Sequence, residues 1–118
     1  MVSVFAHTGQ ELRRLEGSLP AADSPEGPAP CWVDLRAPTH NELLAVAARL
    51  AVPLELLTAA LDPDERARFE LDEGCMLILL RIPISNDDEE IEDNEIPFLT
   101  RPLGIVLAQE AVITVCSK

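Results

Sequence analysis

Apolar residues change their spacing twice along this chain, and that change limits it to an architecture mixing strands with helices. Cys31-Trp32-Val33-Asp34-Leu35 alternates at period two, which places Cys31, Val33 and Leu35 on one face of a strand. Soon afterwards Leu43, Val46, Ala47 and Leu50 recur three and four positions apart, the spacing of a single helical face. Residues 75–82 are then nearly continuous in apolar side chains, the pattern of a strand covered on both faces.

Local signals mark the boundaries. In Pro38-Thr39-His40-Asn41-Glu42 the Thr39 hydroxyl can accept from the backbone N–H of Glu42, whose carboxylate reaches back to the Thr39 backbone, so a helix starts at His40. Pro53 ends that helix and opens a second, striped by Leu54, Leu57 and Leu61, before Asp62-Pro63 breaks it. Upstream, residues 2–6 and 11–16 alternate around His7-Thr8-Gly9-Gln10, which predicts an opening hairpin with His7 in its turn. Residues 19–30 hold four of the ten prolines among Gly, Ser and Ala, a composition with little to bury, and predict a flexible loop. Downstream, residues 67–72 alternate, Asp72-Glu73-Gly74 turns into residues 75–82, and strands over 96–108 and 111–116 meet at Gln109-Glu110. Three strands, two helices and about four more strands predict an α+β fold, a mixed, largely antiparallel β-sheet covered by helices. At 118 residues this is one domain, 1–118.

Charge narrows the partners. Twenty-one acidic against nine basic residues give −12, a field that repels nucleic acid and anionic lipid and either favours cations or basic protein surfaces or does no more than keep the domain soluble. Residues 86–95 carry seven carboxylates around Ile91 and predict an exposed loop that attracts cations diffusely, without the ligand-and-glycine order of a calcium loop. The longest apolar stretch, 43–61, contains Arg49, Pro53 and Glu55, so it is no membrane span, and residues 1–17 lack a secretory leader pattern. Cys31, Cys75 and Cys116 are far apart and flanked by apolar residues, as core thiols in a reducing cytosol would be.

Enzymatic chemistry finds no footing. His7 and His40 read as exposed, and the five glycines are too scattered to cradle a phosphate, so neither a triad nor a required cofactor is expected. The cluster Asp62-Pro63-Asp64-Glu65-Arg66-Ala67-Arg68 offers oxygen ligands from Asp62, Asp64 and Glu65 to a hard cation such as magnesium, bound weakly. The competing reading is a surface turn whose carboxylates are neutralised by Arg66 and Arg68. Lys118 follows an apolar strand directly, and more chain is expected beyond it in the parent protein.

Five segments in this order resemble the N-terminal cytoplasmic domain of CorA-like magnesium and divalent-cation transporters. They are Trp32-Val33-Asp34-Leu35; Pro38-Thr39 through Glu42-Leu43; Ala60-Leu61-Asp62 through Glu65-Arg66-Ala67-Arg68; Pro102-Leu103-Gly104-Ile105-Val106-Leu107; and Ile113-Thr114-Val115-Cys116. The resemblance implies a transporter domain rather than an enzyme, on the cytoplasmic side of the inner membrane. It further implies a stalk helix and two membrane helices in the intact protein, a pentameric assembly, and gating by divalent ions. The Gly-Met-Asn pore motif of that family has no counterpart in these 118 residues. Several relatives bind a regulatory ion through an aspartate on the helix matching residues 53–61, where this chain has Thr58 or Ala59. The family carries magnesium, cobalt or zinc. The alternative is a free-standing acidic interaction module, and a small metal-dependent hydrolase is a third reading that lacks ligands and a base.

Overall fold

The computed structural model describes residues 1–8, 10–15, 30–85, 98–109 and 111–117. Three strands come first: β1 (Val2–Thr8), β2 (Glu11–Leu15) and β3 (Pro30–Arg36). Helices α1 (His40–Leu50) and α2 (Leu54–Thr58) follow, with α2 tightening into a 3-10 turn at Ala59–Leu61. Strands β4 (Arg68–Asp72), β5 (Cys75–Ser85), β6 (Phe98–Leu107) and β7 (Val112–Cys116) complete the order.

All seven strands form one sheet, ordered β2-β1-β3-β7-β6-β5-β4. The chain leaves β3, crosses through the helices to the far edge at β4, and steps back by antiparallel pairing through β5 and β6. It arrives at β7, antiparallel to β6 and parallel to β3, with Val33 opposite Ile113 and Leu35 opposite Val115. A parallel pair needs a long crossover, and here the crossover contains both helices and a three-strand meander. The α+β class and the mixed, largely antiparallel sheet are as the sequence predicts.

Capping sets where α1 begins. Thr39 Oγ1 accepts from the Glu42 N–H at 3.1 Å, and Glu42 Oε1 accepts from the Thr39 N–H at 2.9 Å. The Thr39 N–H holds the Glu42 carboxyl below its ordinary value of 4.5. Thr39→Ala should cost about 1 kcal/mol in thermal or urea melts. Because the folded-state value of Glu42 is depressed, its contribution is complete above the ordinary carboxylate value and is lost as pH falls through the depressed one. Wild type and Glu42→Gln should therefore differ in melting temperature near neutral pH and converge in acid; a gap that is the same at both ends would remove this account of the cap. Ala51 ends α1 in the left-handed region at φ 53°, its N–H returned to the Ala47 carbonyl. Pro53 then starts the next turn.

The core lies between the helices and one face of the sheet. Leu43, Val46, Leu56 and Leu57 pack over Val33, Leu35, Leu77, Val106, Ile113 and Val115, all buried. Gly104 on β6 allows a close approach of the 3-10 turn: a Cβ added there would lie 3.0 Å from the Ala60 Cβ.

Three expectations need adjustment. β5 is not covered on both faces among the described residues: Leu77 and Leu79 are buried, whereas Leu80 on the opposite face is 43% exposed, because both helices cross the same side. An apolar run thus marks a strand that is apolar on both faces, which is not the same as covered. His7 is a strand residue within β1 rather than a turn residue, since the hairpin tightens around Gln10. Pro30 of the expected 19–30 loop belongs to β3, while the rest of that loop and the acidic stretch 86–95 lie outside the described residues.

Candidate functional site

The three carboxylates singled out in the sequence sit on the turn between the 3-10 segment and β4. Asp62 caps that segment in an extended conformation, and its Oδ1 accepts from the Asp64 N–H at 2.9 Å. The Glu65 N–H returns to the Asp62 carbonyl at 3.2 Å. Glu65 forms an ion pair with Arg68, which also reaches Glu70 at 3.3 Å. The Asp62 carboxylate therefore serves its own turn and that of Glu65 faces a guanidinium. Among the described residues, no group of three or more His, Cys, Asp or Glu is placed to hold a metal ion. Thr58 spends its hydroxyl on the Glu55 carbonyl at 3.3 Å, and Ala59 opens the 3-10 turn.

Arg81, from β5, reaches the same turn. Its Nη1 donates to the Pro63 carbonyl at 3.1 Å and the Glu65 carbonyl at 2.7 Å. Its Nε and Nη2 donate to Thr100 Oγ1 and the Thr100 carbonyl on β6, at 3.1 and 3.0 Å. Sequence reasoning missed this residue: a single Arg in an apolar run reads as a solvated interruption, and the turn it meets lies 16 to 18 residues away.

Another group lies on the face of the sheet opposite α1 and α2, where β3 and β7 run parallel. Trp32 Nε1 donates to Thr114 Oγ1 at 2.9 Å, Thr114 Oγ1 donates to Asp34 Oδ1 at 2.6 Å, and Arg36 Nε donates to Asp34 Oδ2 at 3.0 Å. Phe5 stacks on Trp32 with ring centroids 4.5 Å apart. Alternation along β3 puts Trp32 and Asp34 on one face, but nothing local identifies Thr114, 80 residues from Asp34, as their partner.

Further along that face the surface turns apolar. Phe69 and Leu71 on β4 are 71% and 67% exposed, and Leu80 and Leu107 are also exposed, with Ile78 and Ile105 half-buried between them. A contiguous run of this kind on a sheet is an unusual surface for a finished monomer.

Cys75 is buried under α1, its Sγ 3.9 Å from the Ala51 carbonyl. Burial, with Glu73 and Asp72 nearby, pushes its thiol up from the ordinary value. It is an inert core thiol, as read from the sequence. Cys116 is half-buried at the end of β7. His40 is exposed at the first position of α1. Among the described residues, no helix is long and apolar enough to cross a membrane.

Among the described residues, a mixed seven-stranded sheet with helices on one side and exposed apolar side chains on the other defines an α+β domain. The family model described as CorA-like Mg2+ transporter protein matches residues 28–118, and the chain belongs to that family. Two solved structures are similar to it. The soluble domain of CorA from Methanocaldococcus jannaschii matches at 26% identity and TM-score 0.58, over 74% of this chain and 31% of that one. The complete CorA magnesium transporter from the same organism matches at 20% identity and TM-score 0.72, over 100% of this chain and 32% of that one, a likeness of fold. The chain thus spans about a third of the length of the structures it matches. No match is found among curated proteins.

Proposed function

We propose that this chain is the cytoplasmic regulatory domain of a CorA-like divalent-cation transporter, acting in the intact protein as one of several identical subunits, a pentamer. The family match over residues 28–118 carries this reading. The open face of the sheet supports it: Phe69, Leu71 and Leu80 offer the stalk helices of the same parent chain an apolar surface to cover. Transport belongs to the membrane helices of the parent, and this domain contributes assembly and a response to internal magnesium or another divalent ion.

The response arises between subunits, not within one copy. Thr58 and Ala59 bring no carboxylate to the end of α2, while Asp62 and Glu65 are engaged in their own turn. An allosteric ion acts by binding one packing of subunits better than another, so a site completed across an interface suits such a device. In one copy, Asp62, Asp64 and Glu65 form no coordination cage, and magnesium associates weakly, through its water shell, with the acidic field of the whole chain.

Calorimetric titration of the isolated chain with magnesium, alongside magnesium-dependent proteolysis of the intact parent, tests this. The isolated chain should bind in the millimolar range, lose the signal toward about 0.15 M salt, and behave alike in the Asp62→Asn, Asp64→Asn double variant. The intact parent should gain protection with magnesium. Saturable micromolar binding by the single chain, resistant to salt and lost in the double variant, would place the sensor on this turn. Indifference of the intact parent to magnesium would remove the regulatory role.

A further inference from the structure

We infer that Arg81 is a latch that fastens the turn at residues 62–65 to the β5–β6 ladder, so that the two move as one body. Four hydrogen bonds from this one side chain end on three residues in two separate parts of the fold. Thr100 is paired with Pro83, two positions along β5 from Arg81, so the Thr100 contacts anchor the guanidinium to its own ladder. Nη1 then has the geometry left to bridge the Pro63 and Glu65 carbonyls. All four acceptors are oxygens, three of them main-chain carbonyls, so what is held is the path of the backbone rather than a side-chain rotamer. A planar fork with fixed donor directions meets acceptors on two sides at once, and a lysine ammonium on a flexible stem does not.

The placement gives the latch its meaning. The turn follows directly on the helical segment that Gly104 allows onto β6, and it leads into β4, the edge strand. Pro63 carries no N–H, and the turn's internal bonds from Asp64 and Glu65 both end on Asp62. The remaining ties described for Pro63 and Glu65 carbonyls come from Arg81. Release of the guanidinium therefore frees the Pro63 and Glu65 carbonyls from the β5–β6 ladder, leaving the Glu65–Arg68 ion pair as the turn's described side-chain tie to β4, while the core beneath stays closed. This inference does not depend on the transporter reading.

Amide hydrogen exchange by NMR on this chain tests it. In Arg81→Ala, exchange at Asp64 and Glu65 should rise by about tenfold relative to Val33, whose amide reports the whole sheet. Arg81→Lys should leave most of that increase in place. Methylguanidinium at millimolar concentration should restore slow exchange to Arg81→Ala, since it supplies the missing fork without the stem. Thr100→Val removes one acceptor in a strand position suited to valine; it should give a smaller increase at the same two amides and keeps the question open if Arg81→Ala does not fold. The latch is overturned if exchange at Asp64 and Glu65 is unchanged, if it rises only in step with Val33, if lysine restores it fully, or if methylguanidinium does not.

Discussion

Replacing Gly104 by valine should lower stability by about 2–3 kcal/mol, the upper part of the range for forcing methyl groups into a filled core. The position is buried on β6, where a Cβ would stand 3.0 Å from the Ala60 Cβ and 3.6 and 3.8 Å from the Leu77 and Leu79 methyls. A single methyl already lies closer to Ala60 than ordinary contact allows, so Gly104→Ala should cost about half as much. The strand cannot yield, because Gly104 is paired with Leu79 on one side and Val115 on the other. The 3-10 turn must move instead, and with it the turn bearing Asp62 and Glu65. Urea melts give the energies, and adding Ala60→Gly to Gly104→Ala should recover part of the loss beyond what the single substitutions predict. A Gly104→Val protein within about 0.5 kcal/mol of wild type would mean that the helical layer is looser over β6 than these distances imply.

That contact also shows where sequence reasoning reaches and where it stops. Thr39, Glu42 and Pro53 locate α1 and the start of α2 because caps and breakers act over a few residues, and the structure keeps the start at His40. The Glu73-Gly74 turn is legible for the same reason: both residues have positive φ, 49° and 79°, in a two-residue link between β4 and β5. Strand order is not legible. Pairing β3 with β7 in parallel depends on packing between segments some 80 residues apart, to which local periodicity is blind. Nor could a nearly continuous apolar run say how much of the strand's second face would be covered, so the reading of β5 overshot. At the candidate site, the sequence placed Asp62, Asp64 and Glu65 near one another but not the use of each: an Asx-type turn and an Arg68 ion pair claim two of the three. Arg81, which organises that turn from another element, carried no local signal.

The segments that carry the family resemblance have mostly architectural work, and Trp32 shows this best. Trp32→Ala should cost about 3 kcal/mol, toward the low end of aromatic-to-alanine losses because the ring is half-buried. Two contributions add. The ring stacks on Phe5 across the β1–β3 pair, centroids 4.5 Å apart and planes 19° from parallel, and such aromatic pairs contribute about 0.5–1.5 kcal/mol beyond area. The indole N–H is tied to Thr114 Oγ1, which in turn donates a hydrogen bond to Asp34, already paired with Arg36. Trp32→Phe separates the two contributions: it keeps a ring for Phe5 and drops the N–H, at a cost of about 1 kcal/mol. Thr114→Val should cost more than that, since it strands both the indole donor and one oxygen of the Asp34 carboxylate on the β3–β7 junction. Because Trp32 is the one tryptophan of the chain, the melts of its variants are followed by circular dichroism, whereas Thr114→Val is read by Trp32 fluorescence as well. The order expected is Trp32→Ala most damaging, Thr114→Val next and Trp32→Phe least. If Trp32→Phe proved as damaging as Trp32→Ala, the hydrogen-bonded chain between β3 and β7 rather than the stack between β1 and β3 would carry the contribution of Trp32, and the Phe5 contact would be incidental.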